Sequence, residues 1–259
     1  MPTTYFSPTI KIPALKPNHL SEGSYTCIQD EIKAYSVFGR SSSPNINYNC
    51  GQKKAIIVAH DMFGFTLNSE QICDIIAGQG YRVVMPYLFL DEPYTRERAY
   101  AECNIERFSW ISKVAPVGHI NLVIDKTISY LRKEGIENFG ICGLSWGGKV
   151  AALASQNRIF SAAITIHTPW LTFDDLKDIQ CPIAIITSGD LQDLSHAVTS
   201  LQKTKPFARK IVHVRFQNLR YGWLSVFGDF TNPVIADLAT DVLKVAITFF
   251  KENLGIRSY

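Results

Sequence analysis

Short apolar runs alternate along this chain with longer segments whose apolar residues recur every third or fourth position. Ala55-Ile56-Ile57-Val58-Ala59, Ala162-Ala163-Ile164-Thr165-Ile166 and Ile183-Ala184-Ile185-Ile186-Thr187 are apolar almost throughout. Runs of that length between turn residues suit strands buried on both faces of a parallel sheet. Tyr81 to Met85, Phe139 to Cys142 and Ile211 to Phe216 read as further strands. Between them the period becomes helical. Ile72, Ile75 and Ile76 share one face of a helix that begins near Asn68-Ser69-Glu70 and ends at Gly78-Gln79-Gly80. Ile120 to Lys133, Val150 to Ala154, Ser195 to Gln202 and Val234 to Lys251 predict four more helices. Tyr25 to Ile28 and Ile32 to Val37 read as an edge hairpin turning on Gln29-Asp30-Glu31. Residues 87–113 read as irregular, then helical. Residues 1–22 read as an extended N-terminal arm, and Gly39 to Asn49 as a polar, mobile loop. Strand and helix alternate with no repeat and no break in composition. The pattern predicts one α/β domain over 23–259, with a mostly parallel, doubly wound sheet.

Composition narrows the classes of function. The chain has 259 residues, 46% hydrophobic and 19% charged, enough for one substantial core. A net charge of +3 with no Lys/Arg run points away from nucleic acid and membrane surfaces. The first residues lack the basic and apolar regions of a signal peptide. No apolar stretch approaches the ~18–20 residues of a membrane span. Six scattered cysteines (Cys27, Cys50, Cys73, Cys103, Cys142, Cys181) form no C-x-x-C pair and suggest no metal site. They read as free thiols in a reducing, cytoplasmic setting, with Cys73, Cys142 and Cys181 as core residues.

The chemistry centres on Gly143-Leu144-Ser145-Trp146-Gly147. A Gly-x-Ser-x-Gly run is weak alone, but here a strand precedes it and a helix follows. That is the context of a nucleophile elbow. The turn strains the backbone at Ser145, and residues two before and two after must be small so that strand and helix approach. The Trp146 N–H, at the helix start, would join the Met62 N–H in an oxyanion hole. The bland alternative is a Gly-rich strand-to-helix turn with an incidental serine.

In parallel sheets the site lies at the carboxyl ends of the strands. Those ends carry His60-Asp61, Ser145, His167-Thr168-Pro169-Trp170 and Ser188-Gly189-Asp190-Leu191-Gln192-Asp193. A triad running Ser, acid, His would take Asp190 or Asp193 as acid. The loop after the last strand, Gln217 to Asp229, contains no His; the last His of the chain is His213, inside the strand.

These segments resemble the dienelactone hydrolase family of the α/β-hydrolase fold over residues 25–253. His60-Asp61-Met62-Phe63-Gly64 is similar to the family's acidic-x-Phe-Gly segment, and Gly80-Tyr81 with Met85-Pro86 to its Gly-Tyr and Pro. Gly143 to Lys149 resembles its elbow, whose nucleophile is usually Cys. His167-Thr168-Pro169 resembles a His-Pro of eukaryotic-type members. Tyr221-Gly222-Trp223 falls where the family has His-Gly-Phe. The resemblance implies hydrolysis of small esters or lactones, often carboxylate-bearing, with no cofactor. It assigns Asp61 to the acid that holds the nucleophile at rest. Two departures stand out. Ser145 replaces Cys, and a hydroxyl needs a base more than a thiol does. Tyr221 replaces His, and a phenol with a pKa near ~10 is a poor proton shuttle at pH 7. The family's carboxylate-gripping Arg after that His is not evident near Phe227.

The expected function is hydrolysis of a small ester or lactone. Ser145 serves as nucleophile, Met62 and Trp146 as oxyanion donors, and Asp61, His60, His167 and Tyr221 as acid/base or supporting groups. The alternatives are a catalytically silent protein that binds a small ligand or a partner protein, and an isomerase or cyclase using Tyr221 as a hydrogen-bond donor. The expected partner is a small molecule, with no nucleic acid or membrane, for a monomer or homodimer.

Overall fold

The apolar runs need cover on both faces, and the fold gives it. The computed structural model describes residues 10–38, 53–101 and 103–254. Eight strands build one sheet: β1 (Ser24–Ile28), β2 (Ile32–Val37), β3 (Lys54–Ala59), β4 (Arg82–Pro86), β5 (Asn138–Leu144), β6 (Phe160–Ile166), β7 (Ile183–Ser188) and β8 (Val212–Phe216). Their spatial order is β1-β2-β4-β3-β5-β6-β7-β8. β1 and β2 are antiparallel; β4, β3 and β5 to β8 are parallel. The helices are α1 (Leu67–Ala77), α2 (Arg96–Ala101), α3 (Asn104–Val114), α4 (Val117–Lys133), α5 (Gly147–Ala154), α6 (Phe173–Leu176), α7 (Ser195–Thr204) and α8 (Pro233–Asn253).

Alternation along β3 divides the core into two layers. Ile56 and Val58 pack with Ile72 and Ile76 of α1 and with Val242 and Phe249 of α8. Ala55, Ile57 and Ala59 pack with Ile124 and Ile128 of α4, Val150 of α5 and Leu201 of α7. Burial of side chains of this size stabilises by about 1.5–3 kcal/mol each. Gly140 makes room for α8: the Phe250 ring lies 2.8 Å from where a Cβ would stand.

Several boundaries differ from the sequence reading. α1 starts one to three residues before the expected cap. Thr66 accepts from the Ser69 N–H while the Ser69 hydroxyl oxygen accepts from the Thr66 N–H, a capping box built on two hydroxyls. α4 starts at Val117, directly behind Pro116, whose fixed φ suits a helix entry. Residues 87–113 contain two helices, and neither α2 nor α3 buries more than Val114. The loop read at 39–49, Cys50 and residues 1–9 of the arm lie outside the described residues.

The described part of the arm runs along α1. Leu15 enters the core. Lys16 and Gln71 exchange backbone and side-chain hydrogen bonds of 2.6 and 2.8 Å. Asp74 contacts His19 Nε2 at 2.6 Å and accepts from the Glu22 N–H at 2.8 Å, and Ser21 donates to Glu70. This explains how Glu70, Gln71 and Asp74 are buried on a helix that also packs on the sheet: each polar group has a partner.

Chain order reverses between β3 and β5, because β4 lies on one side of β3 and β5 on the other. Loops leaving the two strands diverge there and open a crevice at their carboxyl ends. The segments His60–Phe63 and Leu144–Gly147 meet at this point.

Candidate active site

Ser145 sits between β5 and α5 with φ +54, a left-handed value that non-glycine residues adopt only under constraint. Three glycines supply the constraint. A Cβ on Gly143 would stand 2.1 Å from the Gly147 carbonyl oxygen, and one on Gly147 would stand 2.2 Å from that of Ala59. A Cβ on Gly148 would collide with Thr168 Oγ1 at 1.8 Å. The Ser145 N–H donates to Ile166 O at 2.9 Å, which ties the elbow to β6. Gly147→Ala should therefore destabilise the fold by at least about 3 kcal/mol, because its contacts are backbone atoms that cannot rotate away. A urea midpoint unchanged from wild type would refute this packing.

The partner of Ser145 is Tyr221. The two hydroxyl oxygens lie 2.5 Å apart. Ser145 is only 1% exposed. Tyr221 comes from the loop after β8, and its backbone holds it in place. Its N–H donates to Asp190 Oδ2 at 2.9 Å, and Ser188 Oγ donates to Asp190 Oδ1 at 2.7 Å. Gly189 lies so close to Gln217 that a Cβ would stand 2.0 Å from its carbonyl oxygen. Gly222 turns the chain at φ +80 with the Phe227 ring against it. Burial pushes the Tyr221 phenol up to about 12, and the charges of Asp61 and Asp190 add to this; the Ser145 hydrogen bond and Arg107 oppose it.

His167 is close by but does not bond Ser145. It follows β6 at φ +39, fully buried, and packs edge-on to the Tyr221 ring at 5.9 Å and 89°. Among the described residues neither ring nitrogen has a hydrogen-bond partner. Burial lowers its pKa to about 4, so it is neutral near pH 7. His60 is also buried, and its pKa likewise falls to about 4. The Leu88 N–H donates to Nε2 at 3.0 Å, so the proton sits on Nδ1, which donates to Asp61 O at 2.6 Å. This imidazole shapes the loop.

Asp61 is buried beneath the loop that carries Tyr221. Its Oδ1 accepts from the Phe63 N–H at 2.9 Å. Burial raises its pKa to about 6, against the pull of Phe63, Ser225, Val226 and the Arg96 cation. Of the two candidate acids, only Asp190 reaches the site. Asp193 is exposed and turned to α7, taking the Ser195 N–H at 2.9 Å and its hydroxyl at 2.6 Å.

A cavity of about 350 Å³ opens beside Tyr221, with Met62, Phe63, Asp190 and Phe227 in its wall. α2 and α3 close one side with Ala99 and Arg107. Arg107 escapes a sequence reading because α3 shows no clean apolar period to orient it. Trp146 follows Ser145 in the chain and Met62 shares the cavity wall with Tyr221; among the described residues neither N–H donates to a backbone carbonyl. No three His, Cys, Asp or Glu side chains among the described residues group as metal ligands.

Comparison with known proteins follows the same lines. The dienelactone hydrolase family profile matches residues 43–215, ending inside β8 before the loop of Tyr221. A carboxymethylenebutenolidase homolog of Mus musculus is 32% identical over 158 residues, 59% of this chain and 62% of that one. One from Rattus norvegicus is 33% identical over 100 residues, 38% of this chain and 39% of that one. The chain spans about half the length of the curated relatives it matches. In structure, a putative dienelactone hydrolase from Klebsiella pneumoniae superposes with a TM-score of 0.66 at 17% identity, covering 87% of this chain and 98% of that one. The dienelactone hydrolase-like promiscuous phosphotriesterase P91 gives 0.63 at 13%, covering 86% and 93%. At such identities these structures speak for the fold. No helix among the described residues is long and apolar enough to cross a membrane.

Proposed function

The chain belongs to the dienelactone hydrolase family, and from that premise we propose that it hydrolyses a small ester or lactone with Ser145 as nucleophile. The observation that carries this reading is the 2.5 Å contact between Ser145 Oγ and the Tyr221 phenol at a strained, glycine-packed elbow. In the proposed reaction the ionised fraction of Tyr221 takes the Ser145 proton as Oγ attacks the carbonyl carbon. The oxyanion that forms takes hydrogen bonds from the Met62 and Trp146 N–H groups. Tyr221 returns the proton to the leaving oxygen. Water then opens the acyl-serine by the same route in reverse. Asp190 positions Tyr221 through its backbone, and Asp61 sets the electrostatic surroundings. His167 and His60 stay neutral and structural.

The name carboxymethylenebutenolidase denotes a carboxylate-bearing lactone as substrate of the relatives. Arg107, on the cavity wall and donating to the Ala99 carbonyl and to Asn104 Oδ1, adds a positive charge there, which supports an anionic group on the substrate of this chain as well. Cys73 and Cys142, buried as thiols, support a reducing, cytoplasmic setting.

The test is labelling with a fluorophosphonate probe together with hydrolysis of 4-nitrophenyl acetate. Wild type is expected to label at Ser145, and Ser145→Ala to fall to the buffer rate. Equal rates for the two proteins would remove Ser145 from the chemistry. A second reading, ligand binding without turnover, is favoured by one observation: Tyr221 lines the cavity and Ser145, 1% exposed, does not. It requires that the probe leave Ser145 unlabelled.

A further inference from the structure

A second cavity, of about 340 Å³, lies behind Trp146, the residue that follows Ser145, and the reaction above does not use it. Its walls are Ile111 of α3, Ile120 of α4, Val150 and Leu153 of α5, and the rings of Trp146 and Trp170. Besides the two indole N–H groups, its side-chain polar groups are a hydroxyl and an ammonium, and both are engaged. Ser112 Oγ donates to the Phe108 carbonyl at 2.8 Å. The Lys149 ammonium donates to the Trp170 carbonyl at 2.9 Å and pairs with Asp175 at 3.2 Å. Apolar side chains make up most of the wall and no charge is left to neutralise, so an apolar ligand is favoured.

Trp170 also lines the cavity beside Tyr221, so one indole separates the two spaces. It is held at φ +55, its carbonyl fixed by Lys149 and its ring packed at a tilt of 52° against Phe108, 4.5 Å between centroids. The outer end opens between Phe108 and Val117, which are 44% and 57% exposed. The volume is at the lower end of the ~300–1,000 Å³ of small-molecule sites.

We propose that this cleft binds a linear acyl chain. The chain runs past Trp146 with its carbonyl end toward Ser145, while the cavity of Arg107 takes the other part of the substrate. This deepens the hydrolase reading and rests on it for the placement of the reacting end. The cleft itself can be tested without turnover.

The probe for binding is 12-bromododecanoate, whose bromine quenches an indole on contact. Wild type should show saturable quenching of its tryptophan fluorescence, with Trp170, which packs on Phe108 at the outer end, as the indole the bromine reaches. Leu153→Phe and Ile111→Phe fill the cleft from two walls at partly exposed positions, so both should fold, and each should weaken binding at least tenfold. The parallel measurement is kcat/KM on 4-nitrophenyl butanoate and octanoate. At about three- to fourfold per buried methylene, wild type should favour octanoate on the order of 10²-fold, and both variants should lose most of that preference. Absent or non-saturable quenching, or equal affinities in all three proteins, would overturn the cleft. Binding of the bromo acid with no ester hydrolysed would leave the cleft standing and remove the chemistry assigned to Ser145. Hydrolysis with no chain-length preference would do the opposite.

Discussion

Tyr221→His should raise kcat/KM on a short acyl ester at pH 7.5 by about 10²–10⁴-fold, the usual contribution of a matched general base. The reason is the proton affinity of the partner of Ser145. With its phenol pushed to about 12, only a trace of Tyr221 is ionised near neutrality. Each pH unit then brings a tenfold larger base fraction. The wild-type rate should climb log-linearly from pH 7 to 10 with no plateau. An imidazole with a pKa near ~6.5 is mostly in base form at pH 7.5, so the variant's profile should flatten above that value. Asp190 Oδ2 accepts from the backbone N–H of residue 221 at 2.9 Å, a contact that keeps the residue in place whichever ring it carries. Imidazole is shorter than phenol, and the loop or a water must close the difference. Tyr221→Phe is the control and should lose the alkaline climb. A wild-type profile that flattens near pH 7, or a variant no faster than wild type, would show that position 221 is not where the proton goes.

The second large effect concerns stability in acid. His60 and His167 have folded pKa values near 4 against 6.5 when free. The unfolded chain therefore binds more protons between those values, and stability falls as pH drops from 6.5 to 4, by about 3 kcal/mol per histidine. Asp61 acts with the opposite sign. Its folded pKa is about 6 against 3.8 when free, so its charge costs stability above pH 6, and about 3 kcal/mol returns as pH falls to 4. The three together predict a net loss of about 3 kcal/mol between pH 6.5 and 4. His167→Phe should make stability nearly flat across that window, and Asp61→Asn should roughly double the loss. Urea midpoints at pH 6.5, 5 and 4 for the three proteins decide the matter. Parallel slopes in all three would mean that other groups control acid unfolding.

Much of the fold was legible because its signals are local. The apolar runs at β3, β6 and β7 cannot be exposed on either face, so a parallel sheet between helix layers is the one arrangement that hides them. The elbow was legible because its Gly-x-Ser-x-Gly run stands between a strand and a helix, and Gly143 answers to Gly147 inside the turn itself; the approach of Gly147 to the Ala59 carbonyl on β3 is not local. The bounds of α1 were less so: Thr66 and Ser69 cap one another through hydroxyls, and Asn68-Ser69-Glu70 looks equally suitable. The arm over 10–22 gives no period of its own, because its order comes from Gln71 and Asp74 of α1.

The candidate site was legible in its members but not in its pairings. Asp190 and Asp193 are three residues apart at one strand end, and only the course of the backbone turns one to Tyr221 and the other to Ser195. His167 follows the strand beside the elbow, yet its ring lies against Tyr221 rather than at the Ser145 hydroxyl. The reach of Tyr221 to Ser145 depends on the turn at Gly222 and on the approach of Gly189 to Gln217, the latter a contact remote in sequence. Arg107 had no signal, since α2 and α3 bury almost nothing.

Residue 221 is fixed through its backbone amide, so the scaffold does not depend on which ring it carries. A tyrosine codon and a histidine codon differ by one transition at the first base. In heredity, then, the chemical character of this site and its architecture are separable: a single nucleotide exchanges phenol for imidazole, while Asp190, Gly222 and the strained serine remain in place.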